Sequence, residues 1–285
     1  MPIDADLAVG AQLGEREFRW SSSDVLLYHL GVGAGRKPCD PRELKYVYED
    51  GLQVLPTFAV VAPQLRETAA PRVSMPGVEV DLAAALHGKQ ELTVHAPIPT
   101  EGAARASSRI ADVQDKGKAA VVITENRVTT DTGGPLFTTR SSVFVRGEGG
   151  FGGHRGESER VELPDRGPDA VVDSPTLPQQ ALWYRLCGDR NPLHADPEFA
   201  ATAGFEQPIL HGLCTYGLVC KAIVDELLDS CPTAVRGFSA RFAGVVHPGE
   251  TIRTRAWVEG GRILARSSVV ERDVAVLSDA VLTAA

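Results

Sequence analysis

Two segments of this chain recur at a nearly constant separation. Leu27-Tyr28-His29-Leu30 is matched by Trp183-Tyr184-Arg185-Leu186 after 156 residues, and His95-Ala96-Pro97 by His247-Pro248-Gly249 after 152. A register that holds over half a chain points to a duplicated domain. Between the copies the composition changes. Residues 147–175 carry Gly147, Gly149, Gly150, Gly152, Gly153 and Gly156, then Pro164, Gly167, Pro168 and Pro175, among charges and few apolar side chains. Such a stretch reads as a linker. The expected division is therefore a domain at 1–146, a linker at 147–175 and a second domain at 176–285.

The second half is the more legible. Thr176 can cap a helix with Pro178 in its first turn and Gly188 at its end. Asp196-Pro197-Glu198 starts a short helix that Gly204 stops. From His211 onward, Leu213, Tyr216, Cys220, Ile223, Val224 and Leu227 keep helical spacing over four turns, the pattern of a helix buried on a sheet. Strands follow at about 237–243, 251–258, 262–271 and 274–283, with alternation at Ile252, Thr254, Ala256 and Val258 and a hairpin turn at Gly260-Gly261. The first half repeats the order. Ser23-Asp24 caps a helix through Leu30, residues 56–65 form part of a central helix, and strands run near 91–95, 102–114, 118–129 and 135–145. Helix followed by antiparallel strands, twice, is an α+β chain.

Composition narrows the function. A net charge of −8 argues against a nucleic-acid backbone as partner. No apolar run approaches the roughly 20 residues that span a bilayer. The segment Met1 to Asp6 lacks the basic start and apolar core of a signal peptide. Cys39, Cys187, Cys214, Cys220 and Cys231 form no CxxC pair, as expected of reduced thiols in a cytoplasmic protein.

Chemistry concentrates in Tyr184-Arg185-Leu186-Cys187-Gly188-Asp189-Arg190-Asn191-Pro192-Leu193-His194. Pro192 forces Asn191 out of helical geometry, so Asp189, Asn191 and His194 share a loop past a helix end. A carboxylate and an imidazole sharing one water can polarise it, and an amide can orient the pair. The same residues also suit an ordinary turn and cap. Pro208-Ile209-Leu210-His211-Gly212-Leu213 leads into the long helix, where free N–H groups and the positive dipole end can hold a developing oxyanion. An ordinary helix start reads the same way. Gly147 to Gly152 fits GxGxxG formally, but no helix follows it. His194, Asp196 and His211 lack the spacing of a metal site, and no GxSxG elbow is present.

The run at 184–194 resembles the signature of the MaoC-like, hydratase 2 family, and Ile209-Leu210-His211-Gly212-Leu213 resembles its second block. Tyr28 to Gly35, Gln53 to Phe58, Leu86-His87-Gly88 and Ala111 to Lys118 are similar to the N-terminal half of the longer members. The resemblance implies a double hot-dog fold, each unit an antiparallel sheet wrapped on a long central helix. It implies hydration of trans-2-enoyl-CoA to (3R)-3-hydroxyacyl-CoA without metal or cofactor, with Asp189 and His194 as catalytic pair, Asn191 supporting and Gly212 N–H as oxyanion donor. Gly31-Val32-Gly33-Ala34-Gly35 stands where the second half has Gly-Asp-Arg-Asn-Pro-Leu-His, so one site per chain is expected, with the first half shaping an acyl pocket. The N-terminal segments are similar to those of sterol side-chain hydratases, which makes a steroid acyl group the expected substrate and a linear fatty acyl group its competitor. A hot-dog thioesterase and a non-catalytic acyl-binding subunit are the other readings. Monomer and homodimer both stay open.

Overall fold

The computed structural model describes residues 3–157 and 160–285. Met1 and Pro2 of the N-terminal segment, and Ser158 and Glu159 of the expected linker, lie outside the described residues. The first half contains α1 (Ala5–Ala8), β1 (Gln12–Trp20), α2 (Ser22–Gly31), α3 (Pro41–Val47), a small hairpin of β2 (Val73–Met75) and β3 (Val78–Val80), and then β4 (Ala85–Val94), β5 (Gly102–Asp115), β6 (Ala119–Thr130) and β7 (Pro135–Arg146). The second contains β8 (Ala170–Pro175), α4 (Gln180–Tyr184), α5 (Pro197–Thr202), α6 (Gly212–Leu227), β9 (Val235–Phe242), β10 (Thr251–Glu259), β11 (Arg262–Val269) and β12 (Val274–Ala284).

The large strands form one antiparallel sheet of ten in the order β1-β5-β6-β7-β4-β9-β12-β11-β10-β8. The order reads the same from either edge once halves are exchanged. The exchange point is the β4–β9 pairing, where Gln90 faces Ala240 and Leu92 faces Phe238. Duplication has thus built a pseudo-dimer within one chain. A single apolar core runs through both halves, from Phe18 and Trp20 through Tyr216 and Ile223 to Leu282. α6 is its axis, and every residue from Cys214 to Val224 is buried. Lys221 is among them, and its ammonium bonds Glu43 at 2.9 Å and Asp225 at 2.7 Å, the pairing that a buried charge requires.

Several sequence expectations fail, among them the cap at Thr176, since α4 starts at Gln180 with Gln179 as its N-cap. Residues 56–65 form no central helix but two 3-10 turns, Pro56–Val60 and Ala62–Gln64. Pro56 is tolerated at a first turn, but Pro63 inside a helix removes an N–H and collides with the preceding turn. The linker also ends early, because Ala170–Pro175 pairs with β10 as an edge strand. Its proline sits at the strand's end, where no ladder bond is lost. The glycine-rich part of the linker is irregular but tied down. Asp115 accepts N–H bonds from Gly150 at 2.9 Å and Gly152 at 2.8 Å. The cap of α2 is Ser21 rather than Ser23, with Asp24 as the third residue of a capping box.

Candidate active site

A turn without side-chain freedom carries the polar run. After α4 and a 3-10 turn, Gly188 adopts φ 105°. A Cβ there would lie 2.0 Å from the Gln64 carbonyl oxygen, so only glycine fits against the first half's 3-10 segment. Asp189 follows and accepts the Asn191 N–H at 3.2 Å. The Asn191 Oδ1 accepts the Leu193 N–H at 3.0 Å and caps the turn Pro192–His194. The turn-and-cap reading therefore holds for both Asp189 and Asn191.

His194 is buried, and its Nδ1–H donates to the Ile209 carbonyl at 2.8 Å. A carbonyl can only accept, so Nδ1 carries the proton and Nε2 offers a lone pair. Burial pushes its pKa below the usual 6.5, against the opposing pull of the Asp189 charge. The imidazole is thus neutral at pH 7. An Asp189 oxygen and ring nitrogens of His194 and His211 all lie within 4.8 Å of one another. These donors make a poor metal cage. The two rings stack at 3.7 Å with 27° between planes, face to face rather than around a common point.

Gly212 opens α6 directly after its N-cap His211. As a first-turn residue its N–H has no intrahelical acceptor. A Cβ here would lie 3.0 Å from the Phe242 ring, which would have to give by a few tenths of an ångström. Asp189, Asn191, His194 and Gly212 all line one cavity of about 660 Å³. Its opposite wall comes from β4, β6 and β7 of the first half. There the sequence reading missed His87, seen only as part of a matching segment. His87 is half-buried with its Nε2 enclosed, desolvation pushes its pKa down to about 4, and its ring lies 4.7 Å from that of Phe242. Its Nε2 has no partner among the described residues. No local spacing could have signalled it, because the sheet brings it across from the other half.

The equivalent place in the first half is stripped. α2 ends at Gly31 and the turn after α4 at Cys187; α3 begins at Pro41 and α5 at Pro197; a 3-10 turn begins at Pro56 and α6 at Gly212. Each pair is 156 apart. At that offset Asp189, Asn191, His194 and Gly212 correspond to Gly33, Gly35, Pro38 and Pro56. Carboxylate, amide and imidazole are missing there, and Pro56 has no N–H.

Known proteins share this arrangement. The model of the MFE-2 hydratase 2 N-terminal domain matches residues 18–147, and that of the MaoC like domain matches residues 159–280. Enoyl-CoA hydratase ChsH3 of Mycobacterium tuberculosis is 56% identical over 277 residues, covering 97% of each chain. The crystal structure of a MaoC-like dehydratase from Phytophthora capsici superposes with TM-score 0.87 at 29% identity, covering 99% of this chain and 98% of that one. A Mycobacterium tuberculosis protein described as having a double hot-dog fold superposes with TM-score 0.57 at 13% identity, over 99% of this chain and 98% of its own, which bears on the architecture alone. The fold and these relatives are those of a double hot-dog hydro-lyase. The chain belongs to the MaoC-like, hydratase 2 family.

Proposed function

We propose that this protein adds water reversibly to a trans-2-enoyl-CoA to give the (3R)-3-hydroxyacyl-CoA, at one site formed by Asp189, His194, Asn191 and Gly212. The observation that carries this is the convergence of the Asp189 carboxylate, the free Nε2 of His194 and the first N–H of α6 on one cavity. The thioester oxygen rests on the Gly212 N–H, which holds the negative charge that develops as the enolate forms. A water between Asp189 and His194 bonds through oxygen to C3. The pair takes one proton from that water and returns one to C2. Dehydration uses the same groups in reverse.

Two features support a bulky acyl-CoA. The first half has short 3-10 turns where the second has α6, and Val60 and Gln64 of that thinner wall line the cavity. Lys116, Arg155 and Arg241 lie close enough together for the two arginines to depress the Lys116 pKa, after burial, and Arg241 lines the cavity. Such a basic trio suits the phosphates of CoA. In this reading the first half shapes the acyl end and holds no second site.

Initial rates with a steroid side-chain enoyl-CoA and with crotonyl-CoA test the assignment. Higher kcat/KM on the steroid thioester is expected, and equal or better turnover of the short linear chain would refute the bulky substrate. Release of free CoA thiol without hydration would identify a thioesterase instead.

A further inference from the structure

His211 has no part in the reaction as written, yet it is joined to three of the four site residues. Its ring stacks on His194 at 3.7 Å and lies 4.9 Å from the Tyr184 ring. Its Nε2–H donates to the Asp189 backbone carbonyl at 3.4 Å. Its own peptide bond carries the Gly212 N–H. The side chain is fully enclosed, and Nδ1 has no partner among the described residues. A polar ring kept in such a place, where a leucine would fill the space without an unmet nitrogen, needs a reason beyond packing.

We infer that His211 is a positioning residue, whose stacked ring keeps water off one face of the His194 imidazole and holds its Nε2 toward Asp189. The inference rests on the reading of Asp189 and His194 as the acid–base pair. The charged and titratable groups facing the two rings are Tyr184 of α4, Arg185 of the following turn, and Asp189. Asp189 favours the imidazolium. Burial opposes it in both histidines, and their closeness adds to that effect in His211. A neutral ring in face contact supplies the dry surroundings without adding a charge.

Two variants separate the ring from its N–H. His211→Phe keeps a flat ring over His194 and loses the bond to Asp189. His211→Gln keeps an amide donor and loses the ring. Both are assayed for kcat, KM and the acid limb of kcat/KM, which reports groups of the free enzyme. In His211→Gln the limb is expected to move up by roughly one pH unit, as water reaches His194, with kcat down about tenfold and KM little changed. In His211→Phe the limb stays at its wild-type position. A wild-type limb in the Gln variant, or an equal shift in both, overturns the inference. Asp189→Asn assayed beside them separates the two ideas. If it stays active, the acid–base reading itself fails; if it is dead while the limb of the Gln variant is unmoved, only the role of His211 fails.

Discussion

Deleting a single backbone N–H tests the oxyanion assignment, and this fold permits it. Gly212 is the first residue of α6, the position where proline is best tolerated because the N–H has no intrahelical partner. The residue before a proline must be extended, and His211 already has φ −57° and ψ 133°. The first half shows the outcome, since Pro56 occupies the corresponding place at the start of its own 3-10 turn. Gly212→Pro should therefore fold. Its cost is the added Cβ, which meets the Phe242 ring at 3.0 Å and pushes it aside by a few tenths of an ångström, roughly 1 kcal/mol of overpacking. Gly212→Ala carries the same Cβ with the N–H intact and so controls for that displacement. Loss of one oxyanion donor typically costs about 10²–10³ in kcat, or about 3–4 kcal/mol of transition-state stabilisation. The assay is the initial rate of enoyl-CoA hydration, with thermal unfolding of each variant alongside. The proline variant is expected to fall at least a hundredfold below the alanine variant at similar stability. A folded Gly212→Pro within threefold of Gly212→Ala would refute the role of this N–H.

Other perturbations read other parts of the structure. Asp189→Asn and His194→Ala should each lower kcat by about 10²–10⁴ with little change in melting temperature; full activity in the double variant is the outcome that would sink the acid–base pair. Gly188→Ala forces a side chain into a left-handed turn against the Gln64 carbonyl, at roughly 3 kcal/mol from backbone strain and overlap. Its melting temperature should drop by several degrees, and an unchanged one would show that the turn relaxes freely. Acid should destabilise the fold through His29 and His87, both held by burial at pKa about 4 against 6.5 for the free group. Since the unfolded chain then binds protons first, their contribution is complete above pH 6.5 and is lost as pH falls toward 4, by about 3 kcal/mol each. Unfolding titrations of wild type and His29→Gln check this, and identical slopes between pH 6.5 and 4 would contradict it.

Legibility in the sequence followed the number of faces an element buries. α6 stood out because its apolar residues recur at helical spacing, and β10 because its inward residues alternate. β1 did not, because only Phe18 and Trp20 of its nine residues are buried. β8 was lost in the linker for the same reason, as an edge strand with one buried residue. The 56–65 segment misled by its apolar content, which serves the core in 3-10 turns as well as in a helix. Asp189, Asn191 and His194 were visible because one turn holds all three. His87 and the partnership of His211 with His194 were not, since folding alone makes them neighbours.

The two halves also show what separates a structural histidine from a chemical one when both are buried and neutral. His29 donates Nδ1–H to the Tyr46 carbonyl at 2.7 Å and accepts the Leu55 N–H at Nε2 at 3.0 Å. Both nitrogens are consumed, and the ring pins α2 to the segment that precedes the 3-10 turn. His194 makes the same kind of Nδ1–H bond to a carbonyl, at 2.8 Å, but its Nε2 is kept for the cavity and a carboxylate lies beside it. A ring nitrogen left without a protein partner at a cavity is open to a water or substrate. The first half lacks the equivalent turn. Gly33 and Gly35 stand in place of Asp189 and Asn191, and Gln180 closes the neighbouring carbonyl of Gly31 at 2.6 Å. Burial alone therefore does not mark a chemical histidine; a ring nitrogen without a protein partner at a cavity does, as at His194 and, from the first half, at His87.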